Sequence, residues 1–387
     1  MENAPIRISS YKQENSKKKQ LPQKLVKNDN RSLRVFESAI RSEYTRRNYR
    51  ITLKKFMDFV EISDYDKLAG IPDMKLQKLL EDYIIFLKTQ DLNPNSFPVM
   101  LTSLQLFFSM NDRVLNFKKV KKLFPETIKR SGYSAYDTRH VQLLLKVTTD
   151  LRNRAIILFL ASTGVRVGAL EGLKIKHLKN MPDGCKRVVI YESTKEEYIT
   201  FLSPEAAKAL DSYLEKRRND GEMLTLESPL FRDKYDTRAT LAHAMRYRGH
   251  VDVLKRLMRK SGLAREKNGS RYNIQLCHGF RKRFNTILKA NKEINSNIAE
   301  KLMGHKNGLD GTYFVPTEEQ CFAEFQKAIK DLIVDDSERL LVQNRELEIK
   351  LSEKENLEDE IQRQKQAIDY LLSKDPEAKK HLENGKN

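Results

Sequence analysis

The sequence predicts a mainly α-helical fold with one small β-hairpin, and three observations carry that expectation. Apolar residues recur every three to four positions through most of the chain, the period of a helix with one buried face. Alternation by two is confined to KRVVIYES and EEYITFLS, residues 186–193 and 196–203, which read as two strands joined by a polar turn. Leu340, Leu347, Ile361 and Ile368 then fall at multiples of seven, with Leu351 and Leu372 on a second seam, which predicts a helical, coiled-coil-like tail. At 387 residues the chain is long enough for two or three domains.

Taken in order, residues 1–30 are polar and Lys-rich with little periodicity and are expected to be a disordered basic arm. Residues 31–125 read as a small helical domain. In YRITLKKFMDFV the spacing puts Ile51, Leu53, Phe56, Met57 and Phe59 or Val60 on one broad stripe, and KLQKLLEDYIIFLKTQ and SFPVMLTSLQLFFSMN repeat the pattern. Pro72, Pro94 and Asn95 mark the loops between them. KKLFPETIKRSGYSAYDT breaks the periodicity, so a linker is placed at 126–138.

The second domain, 139–334, opens with a helix whose N-cap is assigned to Thr138. RNRAIILFLAST is the most apolar helix and should be buried. After the hairpin, SPEAAKALDSYLEKRR carries Ser203 as N-cap and Pro204 at the first helical position. The Arg-rich stretch 237–261 reads as helical, as do NIQLCHGFRKRFNTILKAN, SNIAEKLMGH and an amphipathic segment over 317–334 with Phe322, Phe325, Ile329 and Leu332. Residues 335–387 form the acidic tail, where Asn344, Lys354, Glu358 and Lys365 interrupt the apolar seams.

The formal net charge is +19. Residues 335–387 hold 10 Lys+Arg against 14 Asp+Glu, so the rest of the chain carries +23. A basic body with an acidic tail points to a polyanion partner, most simply nucleic acid. The longest apolar run, Ala155 to Ala161, is far too short to span a bilayer, so no membrane role is expected. Three cysteines with no metal-ligand spacing read as reduced thiols of a cytoplasmic protein.

Six polar residues between 139 and 316 make a coherent set. Arg166 follows the buried helix in STGVRVGALEGL, where Gly164 permits a tight turn. Lys195 lies in the hairpin turn. His278 and Arg281 are spaced i, i+3 in HGFR and share a helix face. His305 follows Gly304, and Tyr313 stands eight residues later. Taken singly, each has an ordinary structural reading: a surface Arg, an exposed Lys, a helix-end His, a packed Tyr. Taken together they suit phosphate chemistry. Two guanidinium forks grip the non-bridging oxygens of one phosphodiester. Two imidazoles add donors and a proton carrier. A lysine protonates a leaving alkoxide, and a phenol forms a covalent ester with phosphorus. The side chains supply the positive charge, so neither metal nor cofactor is expected. KNGLDG, residues 306–311, would give the tyrosine the mobility to enter and leave one scissile phosphate.

TGVR at 163–166, Lys195, HGFR at 278–281, MGH at 303–305 and Tyr313, in this order, resemble the tyrosine recombinase (phage integrase) family. RNRAIILFLASTG, FLSPEAAKAL and PLF at 229–231 are similar to its mixed α/β catalytic domain, and SEYTRRNYRITLKKFMDFV to the start of its helical core-binding domain. The wording GLDGTYFVPT is nearer to archaeal integrases than to bacterial Xer proteins. The resemblance covers residues 31–330 and implies a site-specific DNA recombinase, an integrase or mobile-element transposase. In it Tyr313 attacks the scissile phosphate to give a 3′-phosphotyrosyl bond, Arg166 and Arg281 bind that phosphate, His278 and His305 assist, and Lys195 protonates the leaving oxygen. It further implies a tetramer on paired duplex target sites, with the 317–334 helix docked on a neighbouring protomer, at work on the nucleoid.

Two departures from the family pattern stand out. The acidic residue usual three positions after the first arginine is Ala169 here, and Glu171, on an α-helix, would lie about 200° away from that position. The gap from His305 to Tyr313 is one residue shorter than usual. A DNA-binding regulator with a decayed site and a type IB topoisomerase remain as alternatives. Sequence readout is assigned to Arg246, Arg248, Lys255, Arg256 and Arg259, as a helix in the major groove or as plain phosphate contacts.

Overall fold

The computed structural model describes residues 30–90, 92–126, 134–233, 242–263, 265–268, 271–305 and 313–374. The expected arm, apart from Asn30, and KNGLDG lie outside the described residues, as do positions 237–241 of the Arg-rich stretch. The chain divides between Arg130 and Ser131 into two compact units.

The first unit is helical throughout: α1 (Arg31–Ser38), α2 (Glu43–Phe59), α3 (Tyr65–Ala69), α4 (Asp73–Thr89), α5 (Phe97–Met110) and α6 (Phe117–Lys122). Its core is aromatic. Phe36, Phe56, Tyr83, Phe107 and Phe108 are buried, and Phe56 meets the Tyr83 ring edge-on at 5.1 Å. Leu53, Phe56 and Met57 of the expected α2 stripe are buried, but Ile51 is 49% exposed. Two helical steps rotate Ile51 about 200° away from Leu53, onto the opposite face.

In the second unit α7 (Thr138–Lys146) is capped by Asp137, not Thr138. The Asp137 carboxylate accepts from the His140 backbone N–H at 2.7 Å, and Thr138 is already the first helical residue. Tyr136, expected in the linker, is buried, and its hydroxyl donates to the Leu276 carbonyl at 3.0 Å. α8 (Leu151–Thr163) is buried from Ala155 to Thr163. The hairpin forms as expected, from β2 (Lys186–Ile190) and β3 (Tyr198–Leu202), with Val188 opposite Thr200. A third strand, β1 (Leu178–Asn180), adds antiparallel to β2. At three residues it is too short to show alternation. α9 (Pro204–Asn219) carries the expected Ser203 cap.

α10 (Tyr247–Lys260) is followed by a two-residue ladder, Lys267–Asn268 with Arg271–Tyr272, and then by α11 (His278–Ala290). α11 starts five residues later than Asn273, because the Asn273 side chain accepts from its neighbour Ile274 and from Glu266 and so holds a turn. After α12 (Ser296–Leu302) the segment read as one helix over 317–334 is two, α13 (Glu318–Gln326) and α14 (Ile329–Leu332). Their Phe322, Phe325, Ile329 and Leu332 are buried in a cluster with Phe201, Phe284 and Leu288 of the same chain. The apolar face of this segment therefore packs within its own chain. α15 (Asp336–Lys374) is one unbroken helix of 39 residues.

His250, fully buried in α10 with its ring edge-on to Phe231, has its pKa pushed down to about 4 by burial. Between pH 6.5 and 4 the unfolded chain therefore binds a proton that the folded chain refuses. Stability contributed at neutral pH is lost as pH falls through that window, by up to roughly 3 kcal/mol. Denaturant titrations at about pH 7 and about pH 4.5 should show the loss, and His250→Phe should abolish most of the difference.

Candidate phosphate-binding site

The site is built from three chain reversals. At the first, Gly164 ends α8 with φ of +58°, and a Cβ there would stand 2.6 Å from the Phe284 side chain. Glycine is required twice over, by conformation and by space. Phe284 lies on α11, so Arg281, three residues earlier, is carried over the same turn. Arg281 is 7% exposed. Its Nη1 donates to the Gly164 carbonyl at 2.9 Å and its Nη2 to the Met303 carbonyl at 2.6 Å. Burial pushes its pKa below the ordinary value, and the positive charge of Arg166 adds to that. A guanidinium nevertheless stays charged at any working pH.

The second reversal is at Gly304, φ +64°, where a Cβ would collide with the Tyr198 ring. The Gly304 N–H donates to the Lys301 carbonyl and the His305 N–H to the Glu300 carbonyl, both at 2.9 Å. This 5→2 and 6→1 pairing folds His305 back over Glu300. His305 Nε2 lies 2.7 Å from Arg281 Nη2, and its Nδ1 is bonded to the Glu300 carboxylate. An arginine nitrogen only donates, so Nε2 accepts and Nδ1 carries the proton given to Glu300. Glu300 also pairs with Lys289. Burial would raise the Glu300 carboxyl, but the bonds from Lys289 and His305 outweigh it and hold its pKa below the usual range.

The third reversal is the hairpin turn, where Tyr191 and Ser193 take positive φ. Lys195 is exposed in it. Burial raises the Tyr198 pKa, against the pull of the nearby Arg281 and Arg166 charges.

His278 begins α11. Partial burial, then the charges of Arg281, Arg166 and Lys282, push its pKa below the ordinary value and keep the ring neutral at pH 7. Arg166 is exposed, and its charge is felt by Arg281, His278 and Tyr198 alike. The structure thus brings Arg166, His278, Arg281 and His305 together. Lys195 and Tyr313 are exposed side chains, Tyr313 at 81%.

Ala169 is buried, in a 3₁₀ turn (Val167–Gly172) rather than an α-helix, so Glu171 lies about 240° from it. Glu171 is engaged elsewhere, for its carboxylate accepts from the Tyr247 N–H at 2.9 Å and caps α10. Sequence reasoning missed Glu300, Lys289 and Tyr198. α10 buries His250, Val253, Leu254, Leu257 and Met258 and leaves Arg246, Arg248, Lys255, Arg256 and Arg259 exposed at and along it. Among the described residues no group of His, Cys, Asp or Glu is placed to hold a metal ion, and no helix is long and apolar enough to cross a membrane.

Residues 133–310 match the model of the phage integrase family. No curated protein matches the sequence. Among solved structures, XerA recombinase is 20% identical over 77% of this chain and 98% of its own, with a TM-score of 0.35. A lambda integrase dimer bound to a COC′ core site is 16% identical over 74% and 78%, TM-score 0.48. The Tn1549 transposon integrase in complex with transposon right end DNA is 15% identical over 76% and 98%, TM-score 0.47. The family match stops three residues short of Tyr313, yet it spans Arg166, Lys195, His278, Arg281 and His305, so over residues 133–310 this chain is similar to the phage integrase family.

Proposed function

We propose that this protein is a site-specific DNA recombinase that cuts and rejoins duplex DNA through a covalent 3′-phosphotyrosyl intermediate. The observation that carries the reading is the convergence of Arg281, locked by two backbone carbonyls, with the carboxylate-backed His305 beside the Arg166 turn. Such a cage holds positive charge where phosphorane oxygens develop negative charge, and it needs no reorganisation at the moment of reaction. Tyr313 supplies the oxygen that bonds to phosphorus. The bond to the 5′ oxygen breaks, and Lys195 gives that oxygen its proton. His278, held neutral, donates to a phosphate oxygen, and His305, whose Nδ1 proton goes to Glu300, holds the Arg281 fork in place through Nε2. One phosphate ester is exchanged for another, so no external energy source enters. Protomers act as a tetramer on paired duplex sites, α10 and its basic face touch the DNA, and the protein works bound to the nucleoid. The test is a pool of nicked duplexes with a randomised core: protein–DNA complexes that survive denaturation, with phosphate left on Tyr313, are the expected product.

Glu300 acts as a positioning residue. Glu300→Ala should slow adduct formation about 10- to 100-fold with unchanged DNA affinity, and Glu300→Gln, which still accepts from Nδ1, should recover part of the rate. Equal loss in both variants, or a loss confined to affinity, would contradict the role.

A further inference from the structure

α15 is anchored to the catalytic unit along one face only. Val342 packs against the α13–α14 cluster, and Val342, Arg345 and Ile349 line a cavity of about 200 Å³ with Pro204, Gln326 and Ile329. Glu338 pairs with Lys208 at 2.6 Å. Residues 340 and 347 lie about 200° around the helix from 342 and 349, so the heptad seam faces away from the body. Leu340, Leu347 and Leu351 are each 58% exposed, Ile361 43% and Ile368 53%. A helix held by one face with a leucine and isoleucine seam turned outward is half of an interface.

We infer that the seam pairs with the same seam of a second copy, as an antiparallel two-helix coiled coil centred near residue 356. The charged interruptions select both the partner and its direction. In a parallel pair each seam position meets itself, so Lys354, Glu358 and Lys365 would each face their own like charge. In an antiparallel pair, one copy's position i meets position 712 − i of the other. Leu351 then packs on Ile361, Asn344 falls beside Ile368, and Lys354 lies opposite Glu358 twice by symmetry. Lys365 meets Leu347, over which its stem lies while the ammonium reaches water. Sliding by one heptad either way spoils this. One slide sets Lys354 against Lys365, and the other sets Lys354 and Glu358 against leucines. Within one copy Lys354 and Glu358 already lie 3.4 Å apart, so the cross-helix pair adds to an existing ion pair rather than requiring a new one. DNA does not fit the seam, because residues 335–387 carry four more negative than positive charges.

This pairing is independent of the DNA chemistry and is tested without DNA. Full-length protein is expected to sediment as a dimer, and Leu351→Asp, an exposed change, as a monomer with an unaltered melting temperature. Leu351→Cys and Ile361→Cys proteins, mixed and mildly oxidised, should give a covalent dimer joining 351 to 361. Each variant oxidised alone, like the wild type with its native cysteines, should give little. A strong 351–351 cross-link in Leu351→Cys alone would overturn the antiparallel arrangement. A monomeric full-length protein, or a dimer that Leu351→Asp leaves intact, would overturn the pairing itself.

Discussion

Replacing Tyr313 by Phe should abolish covalent protein–DNA adducts on nicked duplexes and leave DNA affinity and thermal stability unchanged. The expectation separates chemistry from folding because the side chain is 81% exposed. Removing one oxygen from it costs within about 0.5 kcal/mol of stability, as for surface changes generally. In the proposed mechanism the same oxygen is the atom that bonds to phosphorus, so its loss would remove the reaction path itself. Losing a covalent nucleophile elsewhere costs on the order of 10⁶ in rate. Adducts should fall to background while gel shifts persist. Adducts persisting at the wild-type rate would move the nucleophile to another residue and leave the cationic cage to be reinterpreted.

Arg281 gives the second large effect. Arg281→Ala should lower adduct formation on the order of 10²- to 10³-fold, equivalent to roughly 3–4 kcal/mol of transition-state stabilisation. It also strips donors from the Gly164 and Met303 carbonyls and from His305. Each buried acceptor left unmatched costs about 1–3 kcal/mol, so the melting temperature should fall as well. Arg281→Lys separates the two effects. It keeps the charge but loses the planar fork, so DNA affinity should recover much more than the rate does. A lysine variant cleaving at the wild-type rate would show that charge alone suffices and that the two-pronged geometry is dispensable.

The legibility of this molecule in its sequence varies with the range of the interactions. The hairpin, the Ser203–Pro204 helix start and the buried α8 rest on neighbours a few residues apart, and all three are present. The cap of α7 lies one residue earlier than expected because Asp137 and Thr138 are both good caps and only the geometry of the His140 N–H decides between them. The start of α11 depends on Asn273 closing a turn with Glu266, seven residues back. The order Arg166, His278, Arg281, His305 is readable from spacing and family wording. Glu300 has a local signal in the sequence, since a helix ending on a left-handed glycine folds the following residue over the one five back. Lys289 and Tyr198 have none, because their partners come from separate elements and only the packed fold joins them. Glu171 has the opposite character. Its distance from Ala169 follows from helical geometry alone, but its real partner, the Tyr247 N–H 76 residues away, is a tertiary fact.

The burial of α13 and α14 in their own chain puts Tyr313 on a short leash. Three residues separate Tyr313 from Thr317, whose side chain caps α13, and the four steps between them span at most about 14 Å even fully extended. While Phe322 and Phe325 stay seated beside Phe201, the backbone of Tyr313 cannot stray farther than that from Thr317, and its ring reaches one side-chain length beyond.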